Sequence, residues 1–292
     1  MDVVITYVNC FDKEWQKEYA SAMKSQYSIQ RFRDWGTLRY LLRGIENFMP
    51  FIRNVYLVVS SKSQVPDWAN TDNLKIVEHK EIIPEEFLPT FNSCTIEMFL
   101  HKIKGLDEQY VYFNDDFFPV QLCEETDFFI DNKPCYMFYK CFETENMYRV
   151  QCKNADKLAR KHTGTAEDNF YMRQQHICTP MLKSSCEKIF ELAKSEIFDS
   201  ISRAREEKNI NQYLFSDYNY YTSNFVEKAI DYKYFSLVRE QWQIKKFFDK
   251  PTAKLICLND TADINHPTFK NFQKNILLYF NRLLPDKSKY EI

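Results

Sequence analysis

Short apolar runs alternate with amphipathic stretches along the chain. Runs of β-branched and aromatic residues predict strands at Val3–Val8, Asn54–Ser60, Leu74–Val77, Tyr110–Phe113 and Leu255–Leu258. Helical spacing predicts helices from about Lys13 to Tyr27, from Leu38 to Ile45, after a cap at Asn92 or Ser93, and from Thr268 to Leu284. The alternation of the two periods is typical of an α/β fold.

The middle of the chain has a different pattern. Residues 117–150 mix aromatic and cysteine positions and indicate no clear element, whereas 154–230 contain several helical patterns and a single glycine, Gly164. No internal repeat or flexible linker divides the chain. We therefore expect one domain over residues 1–292, with 1–150 and 251–292 as an α/β core and 151–250 as a mainly helical subdomain.

Composition narrows the class of protein. The 292 residues are 45% hydrophobic, enough for a sizeable core, and 39 basic against 41 acidic residues leave a net charge of −2. This balance argues against a surface built for nucleic acid. The 16% aromatic share suits a rigid core and also surfaces that stack on sugar or base rings.

The expected location is the cytoplasm. Nine cysteines include no C-x-x-C pair, which fits reduced thiols better than a zinc or disulfide framework. The chain starts on an apolar strand without the pattern of a signal peptide, and it holds no apolar run of about 20 residues. A peripheral contact at the cytoplasmic face of the inner membrane stays open.

Polar side chains follow three of the predicted strands. They are Asn9, then Asn114, Asp115 and Asp116, and finally Asn259 and Asp260. Parallel strands would bring these ends to one crevice, where their oxygens suit Mg²⁺ or Mn²⁺. Asn and Asp also end strands simply as turn formers, and for a single strand that explanation is the better one, whereas the three strand ends together favour the crevice.

Arginines supply the complementary charge. Arg31 and Arg33 precede one helix, and Arg203 and Arg205 follow another. Guanidinium groups bind phosphate oxygens in pairs, so these arginines with the acidic strand ends indicate a metal-bound diphosphate. An ordinary solvated charged surface is the alternative.

The histidines and glycines give weaker evidence about the function. His176 lies in a short loop between helical patterns, where it can take a proton from an attacking hydroxyl, although a lone histidine is weak evidence. Glu97 and His101 are spaced to share one helix face. With four glycines the chain has no phosphate-binding glycine loop, no dinucleotide turn and no nucleophile elbow.

The order of these segments resembles the Stealth family of sugar-1-phosphate transferases over nearly the whole chain. The family includes bacterial capsule polymerases and the N-acetylglucosamine-1-phosphotransferase that tags lysosomal enzymes. The first block is matched by Asp2-Val3-Val4-Ile5-Thr6-Tyr7-Val8-Asn9, and the second by Arg31-Phe32-Arg33-Asp34, Leu38-Arg39-Tyr40, Leu42-Arg43, Leu88-Pro89-Thr90-Phe91-Asn92-Ser93, Ile96-Glu97, His101 and Tyr112-Phe113-Asn114-Asp115-Asp116. So many motif residues in the same order are a specific match to the family.

The third block matches less closely than the fourth. The third is represented by His176, Pro180, Lys183, Arg203-Ala204-Arg205, Asn211 and Tyr220-Tyr221, and the fourth by Leu255-Ile256-Cys257-Leu258-Asn259-Asp260. Lys208-Asn209 stands where the family usually has an acidic residue after the arginine. Trp35, Thr37 and Cys10 also depart from the family pattern.

The resemblance implies a GT-A-like (Rossmann-like) central sheet with a helical insertion, and an enzyme that binds a UDP-sugar, UDP-GlcNAc among the candidates. It also implies a pool of metal ligands, Mg²⁺ or Mn²⁺ being held by Asp115, Asp116, Asn259 and Asp260. Catalytic roles fall on His176, Arg205, Asp34 and Asp116, with His176 the first and Asp34 the second candidate for the general base. The residues expected to bind substrate are Asn9, Arg31, Arg33, Arg39, Asn92, Glu97, His101, Lys183 and Arg203.

The implied reaction is attack of a carbohydrate hydroxyl on the phosphorus nearer the sugar, with release of UMP and formation of a phosphodiester in a capsule or surface polysaccharide. The acceptor is an oligo- or polysaccharide, and no nucleic acid is involved. Two alternatives remain: a GT-A glycosyltransferase that releases UDP, and a non-catalytic carbohydrate-binding protein. The tail helix, with Lys270, Lys274 and Arg282, serves either core packing or docking at an anionic membrane.

Overall fold

The computed structural model describes residues 1–23, 32–260, 264 and 266–292. The strands are β1 (Asp2–Thr6), β2 (Asn54–Val59), β3 (Leu74–Glu78), β4 (Gln109–Asn114), β5 (Phe117–Pro119), β6 (Phe129–Ile130), β7 (Lys133–Tyr136), β8 (Phe138–Cys141), β9 (Tyr171–Gln174), β10 (Thr179–Leu182), β11 (Val226–Glu227), β12 (Tyr232–Ser236) and β13 (Leu255–Asn259). The helices are α1 (Lys13–Met23), α2 (Leu38–Phe48), α3 (His79–Ile82), α4 (Ser93–Glu97), α5 (Met147–Thr163), α6 (Lys183–Leu192), α7 (Lys194–Ser200), α8 (Tyr213–Tyr221), α9 (Gln241–Asp249) and α10 (His266–Leu283).

The predicted α/β class is confirmed. Five strands form one sheet in the order β10, β4, β1, β2 and β3, and smaller sheets join β11 with β7 and β6, β12 with β13 and β5, and β8 with β9. All five strands predicted from apolar runs are present within a residue or two of their predicted ends. Four of the runs are almost wholly buried, so their apolar pattern is dense, and in the fifth, Leu74–Val77, Lys75 is exposed.

Two predicted helices differ from the structure. The helix predicted from Lys13 begins there and is described as far as Met23, and 24–27 lie outside the described residues. The helix capped by Asn92 is short, Ser93–Glu97, and a 3₁₀ turn follows at Leu100–Lys102. Residues 94–101 are buried on every side, so this segment follows the packing of the core and has no solvent face to continue as a helix.

The chain divides into two compact units. The first comprises 1–4, 77–112 and 125–230, and the second comprises 5–76, 113–124 and 231–292. The predicted organisation into an α/β core and a helical subdomain stays a prediction. Within 151–250 helices predominate, and β9, β10, β11 and β12 lie among them.

In the first unit, α5 packs against α8 and against β9. The short strands β8 and β9 pair antiparallel, with Tyr139 opposite Arg173 and Cys141 opposite Tyr171. The next strand, β10, pairs antiparallel with β4. The turn between β9 and β10 therefore starts and ends on strands that are fixed by their neighbours, and it carries His176.

In the second unit, β13 lies between β12, which is parallel to it, and β5, which is antiparallel. The helix α2 packs closely on β5, because a Cβ added at Gly44 would lie 2.5 Å from the carbonyl oxygen of Pro119. A glycine is required where backbones approach so closely. This contact fixes the strand that follows Asp116.

Among the described residues, none of the helices combines the length and apolar character that crossing a bilayer needs.

Candidate active site

Two of the polar strand ends meet in the second unit. Asn259, the last residue of β13, donates from Nδ2 to Oδ2 of Asp116 at 3.2 Å. The backbone repeats the contact one residue earlier, where Leu258 N donates to the carbonyl oxygen of Asp116 at 2.9 Å. These two strand ends converge as predicted, but the predicted route through parallel strands of one sheet is wrong. They meet because β5, which follows Asp116, pairs antiparallel with β13 in a separate sheet.

Three carboxyl groups crowd this end of the second unit. Burial raises the pKa of Asp115 well above its ordinary value, and repulsion from Asp116 and Asp34 raises it further. Burial also raises the pKa of Asp116 to about 6, although hydrogen bonds from Asn259 and Cys257 work against that rise. Carboxyl groups that are desolvated and repel one another form a site that a cation stabilises.

The donor atoms at this position fit a hard divalent cation. Asp116 Oδ1 and Asn259 Oδ1 are both buried, and neither has a hydrogen-bond partner within the described part of the chain. Buried oxygens without partners are costly, and coordination of a cation would satisfy both. Among all the residues that the structure describes, no three His, Cys, Asp or Glu side chains lie together as a complete metal-binding site. Mg²⁺ typically takes one or two side chains from the protein and completes its shell with substrate phosphates and water.

Asp260, a predicted metal ligand, accepts hydrogen bonds from two side chains of the segment before α2. Its Oδ2 accepts from Arg33 Nε at 2.8 Å and from Trp35 Nε1 at 2.8 Å, and its Oδ1 accepts from Arg33 Nη2 at 2.9 Å. The guanidinium also lies 4.9 Å from the ring centre of Phe269. Asp260 and Arg33, predicted as metal ligand and substrate ligand, are thus brought together as a buried ion pair.

Asp34, the second candidate base, is positioned by its neighbours. Tyr7 donates to its Oδ2 at 2.9 Å, and the backbone N–H of Gly36 donates to its Oδ1 at 2.7 Å. Burial raises the pKa of Asp34, and these hydrogen bonds and Lys270 oppose the rise. Gly36 has a φ of +72°, which suits the tight turn that directs its N–H at the carboxylate.

The other predicted ligands of the second unit have different surroundings. The Asn9 side chain accepts from the N–H of Phe11 at 2.9 Å, as a turn former does. The Arg39 guanidinium lies over the Trp68 ring at 4.9 Å. Arg31 lies outside the described residues. A role in substrate binding stays a prediction for all three.

His176, in the first unit, is held by two tyrosines. Its Nδ1 lies 3.1 Å from the hydroxyl of Tyr213 and 3.4 Å from that of Tyr148, and the two hydroxyls are 3.0 Å apart. Tyr213 opens α8 and Tyr148 lies in the first turn of α5, so both anchors are on packed helices. If Nδ1 carries the proton and donates to Tyr213, Nε2 becomes the proton-accepting nitrogen.

The surroundings keep His176 neutral. Burial lowers the pKa of its imidazole to about 4, with the positive charges of Arg173 and Arg205 adding to the effect. At physiological pH the ring is therefore unprotonated and able to accept a proton. An anionic phosphoryl group beside it would offset the arginine charges and raise its basicity.

Arg205 links His176 to Glu97. The Arg205 Nη2 donates to Ser93 Oγ at 2.5 Å, and its charge reaches both His176 and Glu97. Burial raises the pKa of Glu97, while Arg205 and the N–H of Gln212, which donates to Glu97 Oε2 at 3.0 Å, act in the opposite direction. The structure therefore brings together three predicted site residues, and the exposed guanidinium is available to an anion.

The loop that carries Arg205 is held by two buried asparagines. Asn92 Nδ2 donates to the carbonyl oxygens of Ser202 and Ala204 at 3.1 and 3.2 Å and to Asn209 Oδ1 at 3.0 Å. Asn209 Nδ2 donates to the carbonyl oxygen of Ser200 at 2.6 Å and to Ser202 Oγ at 2.7 Å. In this structure Asn92 shapes the arginine loop, and its predicted contact with substrate stays a prediction.

The remaining predicted residues of the first unit are spread around this centre. Arg203 is exposed, and its carbonyl oxygen accepts from the N–H of Phe91 at 2.8 Å. His101 is wholly buried between the rings of Phe190 and Phe215, at 4.8 and 5.9 Å. Burial lowers its pKa to about 3, with a smaller effect from Lys102 and from Lys183, which opens α6.

Sequence reasoning gave no role to five residues that shape the site. Tyr213, Tyr148 and Arg173 surround His176, and nothing in their local sequence distinguishes them from core aromatics or surface charges. Asn209 was visible only as a departure from the family pattern. Trp35 was another such departure, and its hydrogen bond to Asp260 explains why an indole N–H is useful there.

Comparisons with known proteins agree with the order of motifs. A model of conserved region 2 of the Stealth proteins matches residues 31–136. The chain is 33% identical to the capsular polysaccharide phosphotransferase fcs1 of Haemophilus influenzae, over 96% of this chain and 84% of that one. It is 28% identical to the capsular polysaccharide phosphotransferase WcwK of Streptococcus pneumoniae, over 100% and 98% of the two chains. Among solved structures, the galactosyltransferase LgtC, bound to donor and acceptor sugar analogues, aligns with 99% of this chain and 98% of its own at 10% identity and a TM-score of 0.44.

Proposed function

Since this chain belongs to the Stealth family of capsular polysaccharide phosphotransferases, we propose that it transfers hexose- or N-acetylhexosamine-1-phosphate from a UDP-sugar to a carbohydrate hydroxyl. The product is a phosphodiester within a capsule or surface polysaccharide, and the leaving group is UMP. The observation that carries the proposal is the placement of Arg205 near a neutral His176, because an anion-binding guanidinium beside a proton acceptor is what phosphoryl transfer to a hydroxyl needs.

In the proposed reaction, the acceptor oxygen forms a bond to the phosphorus nearer the sugar, and the bond from that phosphorus to the UMP oxygen breaks. The bond between the sugar carbon and its oxygen is retained. His176 takes the proton of the acceptor hydroxyl at Nε2, while Tyr213 holds the opposite side of the ring. Arg205 binds the oxygens of the transferred phosphoryl group, where negative charge develops.

Asp116 and Asn259 are the residues that would hold Mg²⁺ or Mn²⁺, with Asp115 adding negative charge and Asp260 as a further predicted ligand. When bound, the cation would neutralise charge on the donor diphosphate. Asp260 would also keep Arg33 and Trp35 in place, whether or not it reaches the cation. The support for this assignment is that Asp116 Oδ1 and Asn259 Oδ1 are buried and, among the residues that the structure describes, have no hydrogen-bond partner.

The competing reaction is that of a conventional glycosyltransferase, in which the sugar carbon is attacked and UDP leaves. Acidic residues that hold a cation and a diphosphate serve that reaction equally well. Full-length relatives named as phosphotransferases favour phosphate transfer for this chain.

Phosphorus NMR separates the two reactions. The protein is incubated with Mg²⁺, a series of UDP-sugars and oligosaccharides from the surface polysaccharide of the strain that carries it. We expect UMP and a new phosphodiester signal to rise together, and a His176→Ala variant to lose both while its affinity for the donor is kept. Release of UDP without a phosphodiester signal would overturn the proposed reaction.

A further inference from the structure

An exposed aromatic side chain lies on the strand pair that leads to the turn of His176 in the first unit. Tyr139, on β8, is 47% exposed, and its partner across the strands is Arg173 on β9. Residues paired across two antiparallel strands share a face, and the Arg173 guanidinium lies 6.0 Å from the centre of the Tyr139 ring. A flat ring beside a cation is thus presented to solvent.

Side-chain contacts connect this face to His176. Arg173 contacts Tyr148, and the Tyr148 hydroxyl lies 3.4 Å from His176 Nδ1. The path from the exposed ring to the imidazole therefore passes through two side chains. A molecule that covers Tyr139 therefore contacts the side chains that surround His176, the group that takes the acceptor proton in the proposed reaction.

The same face leads, on its other side, to a cavity. Cys141 is two residues along β8 from Tyr139 and so shares its face, and its sulfur accepts from Arg149 Nη1 at 3.1 Å. These two residues line a cavity of about 300 Å³ together with Phe142, Glu143 and Glu145. Phe142 is 62% exposed there, although a side chain of its size is usually buried.

We propose that this surface, formed by Tyr139, Arg173, Arg149 and Phe142 and called the aromatic platform below, binds the acceptor polysaccharide chain. The inference rests on the proposed function, and it names the surface that would present the acceptor hydroxyl to His176. The two rings stack on the apolar faces of sugar units. The two arginines pair with the phosphodiester groups of a growing polymer, which carry one negative charge each.

The charges of the platform favour a sugar chain over an anionic membrane as the occupant. Glu143 and Glu145 are exposed within the cavity and balance the two arginines, so the platform lacks the excess positive charge that holds a protein on a surface of acidic lipids. The same carboxylates accept hydrogen bonds from sugar hydroxyls. A mixture of rings, arginines and carboxylates therefore matches a chain that alternates sugars with phosphodiesters.

The test measures acceptor binding and donor turnover separately. The probe is a fluorescently labelled, phosphodiester-linked oligosaccharide prepared from the surface polysaccharide of the strain that carries this chain. Its Kd is measured by anisotropy without donor, and its KM is measured from UMP release. The variants are Tyr139→Ala, Phe142→Ala and Tyr139→Phe, and the matched control is Trp242→Ala, whose ring is 69% exposed on α9 of the second unit.

We expect Tyr139→Ala and Phe142→Ala each to raise both Kd and KM of the probe at least tenfold and to leave the Kd of the UDP-sugar unchanged. Tyr139→Phe keeps the stacking ring and should stay within about twofold of the wild type. Unchanged probe binding in both alanine variants, or an equal loss in Trp242→Ala, would overturn the platform. If the wild type releases no UMP with any donor, the proposed function fails, whereas unchanged variants of an active wild type reject the platform alone.

Discussion

Arg33 and Asp260, separated by 227 positions in the sequence, form a two-pronged ion pair in the second unit. Only 3% of the Arg33 side chain and 11% of the Asp260 side chain is exposed. Trp35 donates to the same carboxylate. The pair therefore joins the segment before α2 to the residue that follows β13, next to the Asn259–Asp116 contact.

Asp260→Ala should strongly destabilise the protein. It leaves the Arg33 guanidinium buried without its partner, which costs about 3–5 kcal/mol in the free energy of unfolding. Asp260→Asn retains one acceptor oxygen and should cost less. Urea denaturation checks both, and Asp249→Ala, which breaks an exposed contact with Arg282, serves as the control that should leave the midpoint unchanged. Equal midpoints for Asp260→Ala and the wild type would show that the pair carries no stability.

Asn259→Ala should weaken cation binding. The change removes a buried oxygen and the hydrogen bond that orients Asp116, so we expect the affinity for Mn²⁺ in the presence of UDP-sugar to fall about tenfold or more. Electron paramagnetic resonance of Mn²⁺ titrations measures it directly. Asn47→Ala is the matched control, because the Asn47 side chain donates to the carbonyl oxygen of Arg43 within α2 and belongs to no predicted ligand set. Identical titrations for Asn259→Ala and wild type would remove Asn259 from the ligand set.

The sequence predicted the strand ends of this site better than its supporting contacts. Dense apolar runs end abruptly before Asn114-Asp115-Asp116 and before Asn259, so the local pattern was enough to locate both strand ends. The Arg33–Asp260 pair was not predicted, because the sequence analysis assigned Arg33 to substrate binding and Asp260 to metal binding. A local sequence pattern does not indicate which charged residue, distant in the sequence, a side chain will contact. His101 was placed on a helix face beside Glu97 from its spacing, whereas aromatic packing from distant segments buries it.

Asn209→Ala should loosen the arginine loop. The side chain makes hydrogen bonds to Asn92, Ser200, Ser202 and the N–H of Glu206, and truncation leaves several buried groups unpaired, so about 2–4 kcal/mol of stability should be lost. We also expect kcat to fall, because Arg205 loses its fixed position. Asn209→Asp is the informative companion, since it can still accept from Asn92 and Glu206 but cannot donate to Ser200. A variant with full activity and a normal urea midpoint would contradict this role.

His101 should make stability depend on pH. Its folded pKa of about 3 lies below the ordinary 6.5, so below pH 6.5 the unfolded chain takes up a proton that the folded protein does not. The contribution present above pH 6.5 is therefore lost as the pH falls towards 3. Relative to His101→Gln, the wild type should lose about 2 kcal/mol of unfolding free energy between pH 7 and pH 5. Urea denaturation at both pH values gives the difference, and a gap that stays constant would show that His101 is not held neutral.

Tyr213 and Arg173 should affect His176 in separable ways. Tyr213→Phe removes the hydroxyl 3.1 Å from Nδ1, so the ring loses its orientation, and kcat should fall about tenfold while the KM of the donor stays unchanged.

Arg173→Gln removes a positive charge that disfavours the imidazolium, so the pKa of His176 should rise from about 4 towards 6.5. The acid limb of the kcat profile should move to higher pH with it.

Proton NMR of the His176 ring, titrated in the donor-free protein, reports this pKa without relying on turnover. Arg173→Lys keeps the charge and should leave the value near 4, while Lys157→Gln, which removes an exposed charge from α5, is the matched control. If Arg173→Gln and Arg173→Lys gave the same pKa, charge would not be the cause. If Tyr213→Phe kept full kcat, Tyr213 would have no part in orienting the base, and the hydroxyl would serve only the packing of α8.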